Sequence, residues 1–188
     1  MTAKTLGALI AATAVLAASL PAGAQGPIRI GASMSLTGTY AKLGNYQHEG
    51  YKLCAKQANE KGGLLGRKIE FVIYDDQSMP PTAVRLYEKL ITEDKVDAVI
   101  GPYSSPVTEA SANVTEKYKK VMVTPLAATT SIFKRPPDKR RYYIFMVISP
   151  AEVYLEGLVD MAAKRGLKPI AIINAAPLFA TAAASGAA

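Results

Sequence analysis

At 188 residues, with 49% apolar residues and a formal net charge of +7, the chain is long enough for one substantial core. Its single cysteine, Cys54, excludes an intrachain disulfide, and its single histidine, His48, excludes a His-rich zinc site. The basic residues are dispersed rather than gathered on one face with stacking groups, which argues against nucleic acid as a partner; the densest run, residues 134–141, reads as a solvated loop.

Residues 1–24 read as a signal peptide. Lys4 supplies the basic start, residues 6–20 the apolar Ala/Leu-rich stretch, and Pro21-Ala22-Gly23-Ala24 the small residues before a cut ahead of Gln25. The apolar part is too short for a membrane anchor and lacks a basic stop-transfer cluster, and no cysteine stands at the cut to take a lipid. An exported, soluble, periplasmic product of about +6 charge is therefore expected, since Lys4 is the leader's one charged side chain.

Beyond the leader, strand and helix patterns alternate. Residues 28–34 form an apolar strand, 35–38 a loop, and a helix begins between Tyr40 and Tyr46 and runs to Asn59, with Gly50, Leu53, Cys54, Gln57 and Ala58 recurring at helical spacing before Gly62-Gly63 stops it. Residues 68–74 are a second strand ending in Asp75-Asp76. Pro80-Pro81 open a helix with Ala83, Leu86, Tyr87, Leu90 and Ile91 inward. A third strand covers 98–100, then a helix 108–120 with Ser111, Val114 and Tyr118 inward, and a fourth strand 121–124 stopped by Pro125. A fifth strand is expected at 142–148, a helix at 151–165 packed through Val153, Leu158, Val159 and Ala162, a sixth strand at 169–174, and an Ala-rich helix from Leu178. Alternating, nearly continuously apolar strands predict an α/β fold, a mostly parallel sheet flanked by helices.

In such sheets ligands bind beyond the carboxyl ends of the strands, so the loops at 35–44, 75–80, 101–108 and 125–131 matter most. Ser104-Ser105 lead into Pro106 and a helix start, a seat for a carboxylate or another small anion; a plain helix cap is the competing reading. Ala127-Ala128-Thr129-Thr130 combine small residues, which admit a ligand close to the backbone, with two hydroxyls. Tyr40 and Tyr46 flank the first loop, where they either meet a ligand or cover the core edge. Asp75-Asp76 have no neighbouring acid or imidazole and read as loop or cap acceptors rather than catalysts. The chain has no G-x-S-x-G pentapeptide, no G-x-G-x-x-G after the first strand and no Walker A sequence. No catalytic residues, metal ligands or cofactors are expected, and binding is favoured over an enzyme.

Several stretches, in order, carry a resemblance. They are Ser35-Leu36-Thr37-Gly38-Thr39-Tyr40-Ala41 with Gly44 and Gly50, residues 58–70 (Ala58-Asn59-Glu60-Lys61-Gly62-Gly63 and onward to Glu70), Tyr74-Asp75-Asp76-Gln77, residues 98–105 ending in Ser104-Ser105, and Val123-Thr124-Pro125-Leu126-Ala127. Together they resemble the periplasmic substrate-binding proteins of branched-chain-amino-acid-type ABC transporters, the Leu/Ile/Val-binding family of the type I periplasmic-binding fold. That resemblance implies a two-lobed architecture, with residues 25–150 as the first lobe and 151–188 as the start of a truncated second. It implies ligand contacts at Ser105 with Ser104 adjacent, at Ala127, Ala128 and Thr129, and at a first-loop position near Leu43, with Tyr40 and Tyr46 as alternatives. The ligand would be a small carboxylate-bearing molecule, an amino acid or an aromatic or other organic acid, delivered to an inner-membrane ABC permease. The alternatives are a ligand-sensing domain of a receptor or regulator, and a truncated product with little or no binding.

Overall fold

The computed structural model describes residues 26–134, 136–168 and 170–187, so the leader lies outside the described residues. Five strands form one parallel sheet: β1 (Ile28–Met34), β2 (Ile69–Asp75), β3 (Ala98–Ile100), β4 (Met122–Thr124) and β5 (Ile144–Met146). Their spatial order is β2-β1-β3-β4-β5. The helices are α1 (Ala41–Glu60), α2 (Pro80–Thr92), α3 (Ser105–Lys117), α4 (Glu156–Lys164) and α5 (Leu178–Ser185). The expected α/β class with a mostly parallel, helix-flanked sheet is what the chain adopts.

Alternation along β2 assigns the helices to faces. Phe71 stacks on Tyr51 of α1, ring centroids 5.4 Å apart, while its neighbour Val72 packs against the core cluster of Tyr87 and Leu90 from α2. Successive strand residues point to opposite faces, so α1 covers one side and α2 the other. The main core lies on the α2 side, where Tyr87, Leu90, Val96, Val99, Ala112, Met122, Ile132 and Ile144 are buried together. The Tyr87 hydroxyl is satisfied there by the Ile100 carbonyl at 2.7 Å.

Helix boundaries follow local chemistry. Pro80 and Pro81 open α2 where a missing N–H costs nothing. Pro106 does the same for α3, which starts at Ser105, three residues earlier than the pattern predicts. Gly62, at φ 96°, ends α1 in a conformation that side chains resist.

Several expectations need correction. Gly50, Leu53, Cys54 and Gln57 are all exposed, and the packed stripe of α1 is Gly44, Gln47, Tyr51, Ala55 and Ala58. Gly44 sets that phase: a Cβ there would stand 2.1 Å from the Ser35 carbonyl oxygen, so the helix docks through its glycine. The 151–165 helix is instead a 3-10 turn, Ala151–Val153, followed by α4, and Val153 and Leu158 are exposed. The sixth strand does not form among the described residues 170–174, where Ile173 is 98% exposed. A strand exists only by pairing, and this segment lies along no other strand. At the end of the basic run Arg141 is buried, donating to the Ile132 carbonyl (2.9 Å) and Asn113 Oδ1 (2.7 Å) and pairing with Glu109 (3.1 Å). It anchors the loop to α3 rather than solvating it.

Candidate ligand-binding site

The strand order reverses between β1 and β3: the chain leaves β1 for β2 on one side and returns to β3 on the other. The loops that follow these two strands diverge there and open a crevice at the carboxyl end of the sheet.

The first loop is held by the two acids after β2. Asp75 accepts from the amides of Leu36 (3.0 Å) and Gln77 (2.8 Å) and from the Thr37 hydroxyl (2.7 Å). Asp76, fully buried, accepts from the hydroxyls of Ser33 (3.0 Å) and Ser35 (2.8 Å) and from the Ser78 amide (2.9 Å). The Ser78 hydroxyl receives the Tyr40 amide at 3.0 Å and donates to the Thr37 carbonyl at 2.8 Å. Gly38, at φ 81°, passes so close to Gln77 that a Cβ would meet its carbonyl oxygen at 2.4 Å. These bonds make Asp75-Asp76 loop acceptors, as expected, and they place Tyr40 at the rim of the crevice.

The second loop, after β3, is tied back to α1: Gln47 Nε2 donates to the Gly101 carbonyl at 3.2 Å. Ser104 occupies the N-cap position of α3, yet its hydroxyl makes no cap bond; its carbonyl takes the Thr108 amide (3.0 Å) and hydroxyl (2.9 Å). The plain-cap reading of Ser104 therefore does not account for its side chain. Ser104 and Ser105 are 6% and 2% exposed, and both hydroxyls lack a hydrogen-bond partner. Buried hydroxyls are rarely left so, and these two stand at a helix N-terminus whose amides and dipole favour negative charge.

The third loop, after β4, is buried more deeply. Ala127 and Ala128 are fully buried, Thr129 is 2% exposed, and the Thr129 hydroxyl is a third buried donor without a partner. The Ala128 carbonyl accepts the Ala151 amide at 2.8 Å. Glu152 accepts from the Thr130 amide at 3.1 Å and from the Thr130 hydroxyl, fastening the loop from the other side. Burial raises the Glu152 pKa, but these bonds outweigh it and hold the carboxyl below its ordinary range.

A cleft of about 450 Å³ opens over these loops, a size suited to a small molecule. It is lined by four of the residues singled out from sequence, Tyr40, Leu43, Ser104 and Ser105. Ala127, Ala128 and Thr129 are not in its wall, and Tyr46 is 65% exposed away from it. The wall also contains Tyr103, Leu126, Ile148, Tyr154 and Phe179, which sequence reasoning missed. Tyr103 adjoins Ser104 and was within reach of a local argument; Tyr154 and Phe179 arrive from segments whose position only the folded chain reveals. Burial, and then the neighbouring Tyr40, push the Tyr103 phenol upward, so it stays protonated. Among the described residues no group of three His, Cys, Asp or Glu side chains gathers to hold a metal, and no helix is long and apolar enough to cross a membrane.

The sequence profile of the periplasmic binding protein family matches residues 27–188. The chain belongs to that family. The leucine-, isoleucine-, valine-, threonine- and alanine-binding protein of Pseudomonas aeruginosa is 32% identical over 132 residues, 70% of this chain and 35% of that protein. Among solved structures, a solute-binding protein of an ABC transporter from Rhodopseudomonas palustris BisB5, in complex with 3,4-dihydroxybenzoic acid, superposes with a TM-score of 0.75 at 26% identity, covering 86% of this chain and 42% of that one. Another R. palustris solute-binding protein, in complex with 4-hydroxybenzoate, gives 0.70 at 27% identity, covering 85% and 42%. This periplasmic binding protein thus aligns with about a third of the length of its curated relatives. Over that part it is similar to Leu/Ile/Val-binding proteins of Rhizobium johnstonii and Escherichia coli, at 33% and 30% identity.

Proposed function

We propose that this binding protein captures a small carboxylate-bearing molecule in the periplasm and passes it to an inner-membrane ABC permease, without chemical change to the ligand. The observation that carries the reading is the pair of buried, unpartnered hydroxyls at Ser104 and Ser105 in the wall of the cleft, with a third such hydroxyl, Thr129, in the loop after β4. Ser104 and Ser105 would donate to the carboxylate at the N-terminus of α3. Thr129 and the backbone at Ala127 and Ala128 would complete that end of the site, and Tyr40 and Leu43 would border the ligand's body. The relatives add support from both sides of the ligand range, one being an amino-acid-binding protein and two having been solved with hydroxybenzoic acids. On this reading residues 25–150 are the first lobe and 151–188 the beginning of the second, whose closure over the ligand would complete the site.

Isothermal titration of the purified chain with a panel of amino acids and aromatic acids tests the proposal. Binding of a carboxylate is expected, and Ser105→Ala should weaken it by about 1–3 kcal/mol, the cost of losing a buried hydrogen bond to a charged group. Unchanged affinity in that variant would remove Ser105 from the site.

A further inference from the structure

Four aromatic rings share the wall of the cleft with the two unpartnered serine hydroxyls. Tyr40 and Tyr103, from the loops after β1 and β3, are inclined at 50° with centroids 5.9 Å apart. Tyr154 and Phe179, from the C-terminal stretch, meet edge to face at 5.8 Å and 71°. Building on the carboxylate-binding reading of this cleft, we infer that it selects an aromatic monocarboxylate, a flat ring bearing one acid group, over an aliphatic amino acid.

Ring geometry and charge lead to this class together. Aromatic side chains carry negative faces and positive edges, and inclined pairs present both to a third ring placed beside them. An aliphatic body of equal size buries the same area against these walls and gains nothing from that match. At the other end, a carboxylate meets hydroxyl donors and a helix N-terminus. Among the described residues, the lining of the cleft offers a carboxylate two hydroxyls and offers an α-ammonium no Asp or Glu side chain. The net positive charge that remains without the leader acts in the same direction, drawing a net anion more strongly than a zwitterion of no net charge.

Calorimetric titration of the purified chain with benzoate, cyclohexanecarboxylate and L-leucine separates the possibilities, because the first two share size and acid group and differ in aromaticity. Benzoate is expected to bind about fivefold more tightly than cyclohexanecarboxylate, and L-leucine more weakly than either. Phe179→Leu should erase most of the benzoate advantage while leaving the cyclohexanecarboxylate affinity nearly unchanged. Tyr103→Leu gives an independent reading from the other ring pair, with far-UV circular dichroism confirming that each variant folds. Equal affinity for the two ring acids overturns aromatic selection, as does L-leucine binding at least as tightly as benzoate. If Ser105→Ala still weakens binding in those cases, the carboxylate reading survives alone. Binding of none of the three, or binding indifferent to Ser105→Ala, overturns both.

Discussion

The two carboxylates that end β2 are adjacent in the chain, yet their surroundings drive them in opposite senses. For Asp76 burial is the largest influence and lifts the carboxyl above its ordinary range, despite the Ser35, Ser78 and Ser33 donors and with the Asp75 charge adding to the lift. Burial acts upward on Asp75 too, but the Thr37 hydroxyl and the amides of Gln77, Thr37 and Leu36 together outweigh it, and its carboxyl is lowered. A lowered carboxylate contributes stability that is present above its unfolded value of about 3.9 and is lost as pH falls through its folded value. The raised Asp76 works the other way, favouring the native state as pH falls through its folded value towards about 3.9. Asp75→Asn isolates the first effect. The urea midpoint of the wild type is expected to exceed that of D75N at pH 6 and the gap to shrink by pH 3; a gap independent of pH would mean that the Asp75 bonds carry no charge-dependent stability. At this scale Ser104 and Ser105 were legible in the sequence as hydroxyls before a helix-opening proline. What was not legible is that neither hydroxyl finds an internal partner, because that depends on every neighbour in space.

The phase of α1 shows what the sequence pattern could and could not do for an element. Length, approximate start and the Gly62-Gly63 stop were readable, but apolar spacing pointed to Gly50, Leu53 and Cys54, which face solvent. Backbone approach decided the phase: Gly44 rests on the Ser35 carbonyl, and Gln47 and Tyr51 then fall over the Gly101 carbonyl and Phe71. Two glycines of one helix should therefore respond to alanine with opposite signs. Gly44→Ala forces a Cβ against a backbone oxygen and should cost about 1–3 kcal/mol, while also displacing Tyr40 and Leu43 from the cleft rim. Gly50→Ala meets nothing within 4 Å and should stabilise by about 0.5–1 kcal/mol through helix propensity alone. Urea unfolding of both variants checks this, and a stabilised G44A would show that α1 can dock without the close approach.

Taken whole, the sheet has two edges, and β5 forms one of them with only three paired residues. Phe145 and Val147 are 52% and 68% exposed along it, an apolar edge able to pair with another chain. Val147→Lys should reduce concentration-dependent light scattering with little change in melting temperature; unaltered scattering would locate self-association elsewhere. The sequence by itself determined the α/β alternation, the five strand positions, the core face of α2 and the loops that carry the candidate site. It could do so because periodicity, proline and glycine act within a few residues, and because the ordered motifs of the family are contiguous. Tertiary structure alone decided the phase of α1, the burial of Arg141 and the failure of residues 170–174 to form a strand. It also decided the aromatic half of the cleft. Tyr154 and Phe179 join Tyr40 and Tyr103 only because the chain after β5 returns to pack Ala151 and Ala182 against Ala128. Contacts of that kind join segments about 25 to 140 residues apart, and no local pattern in the chain records them.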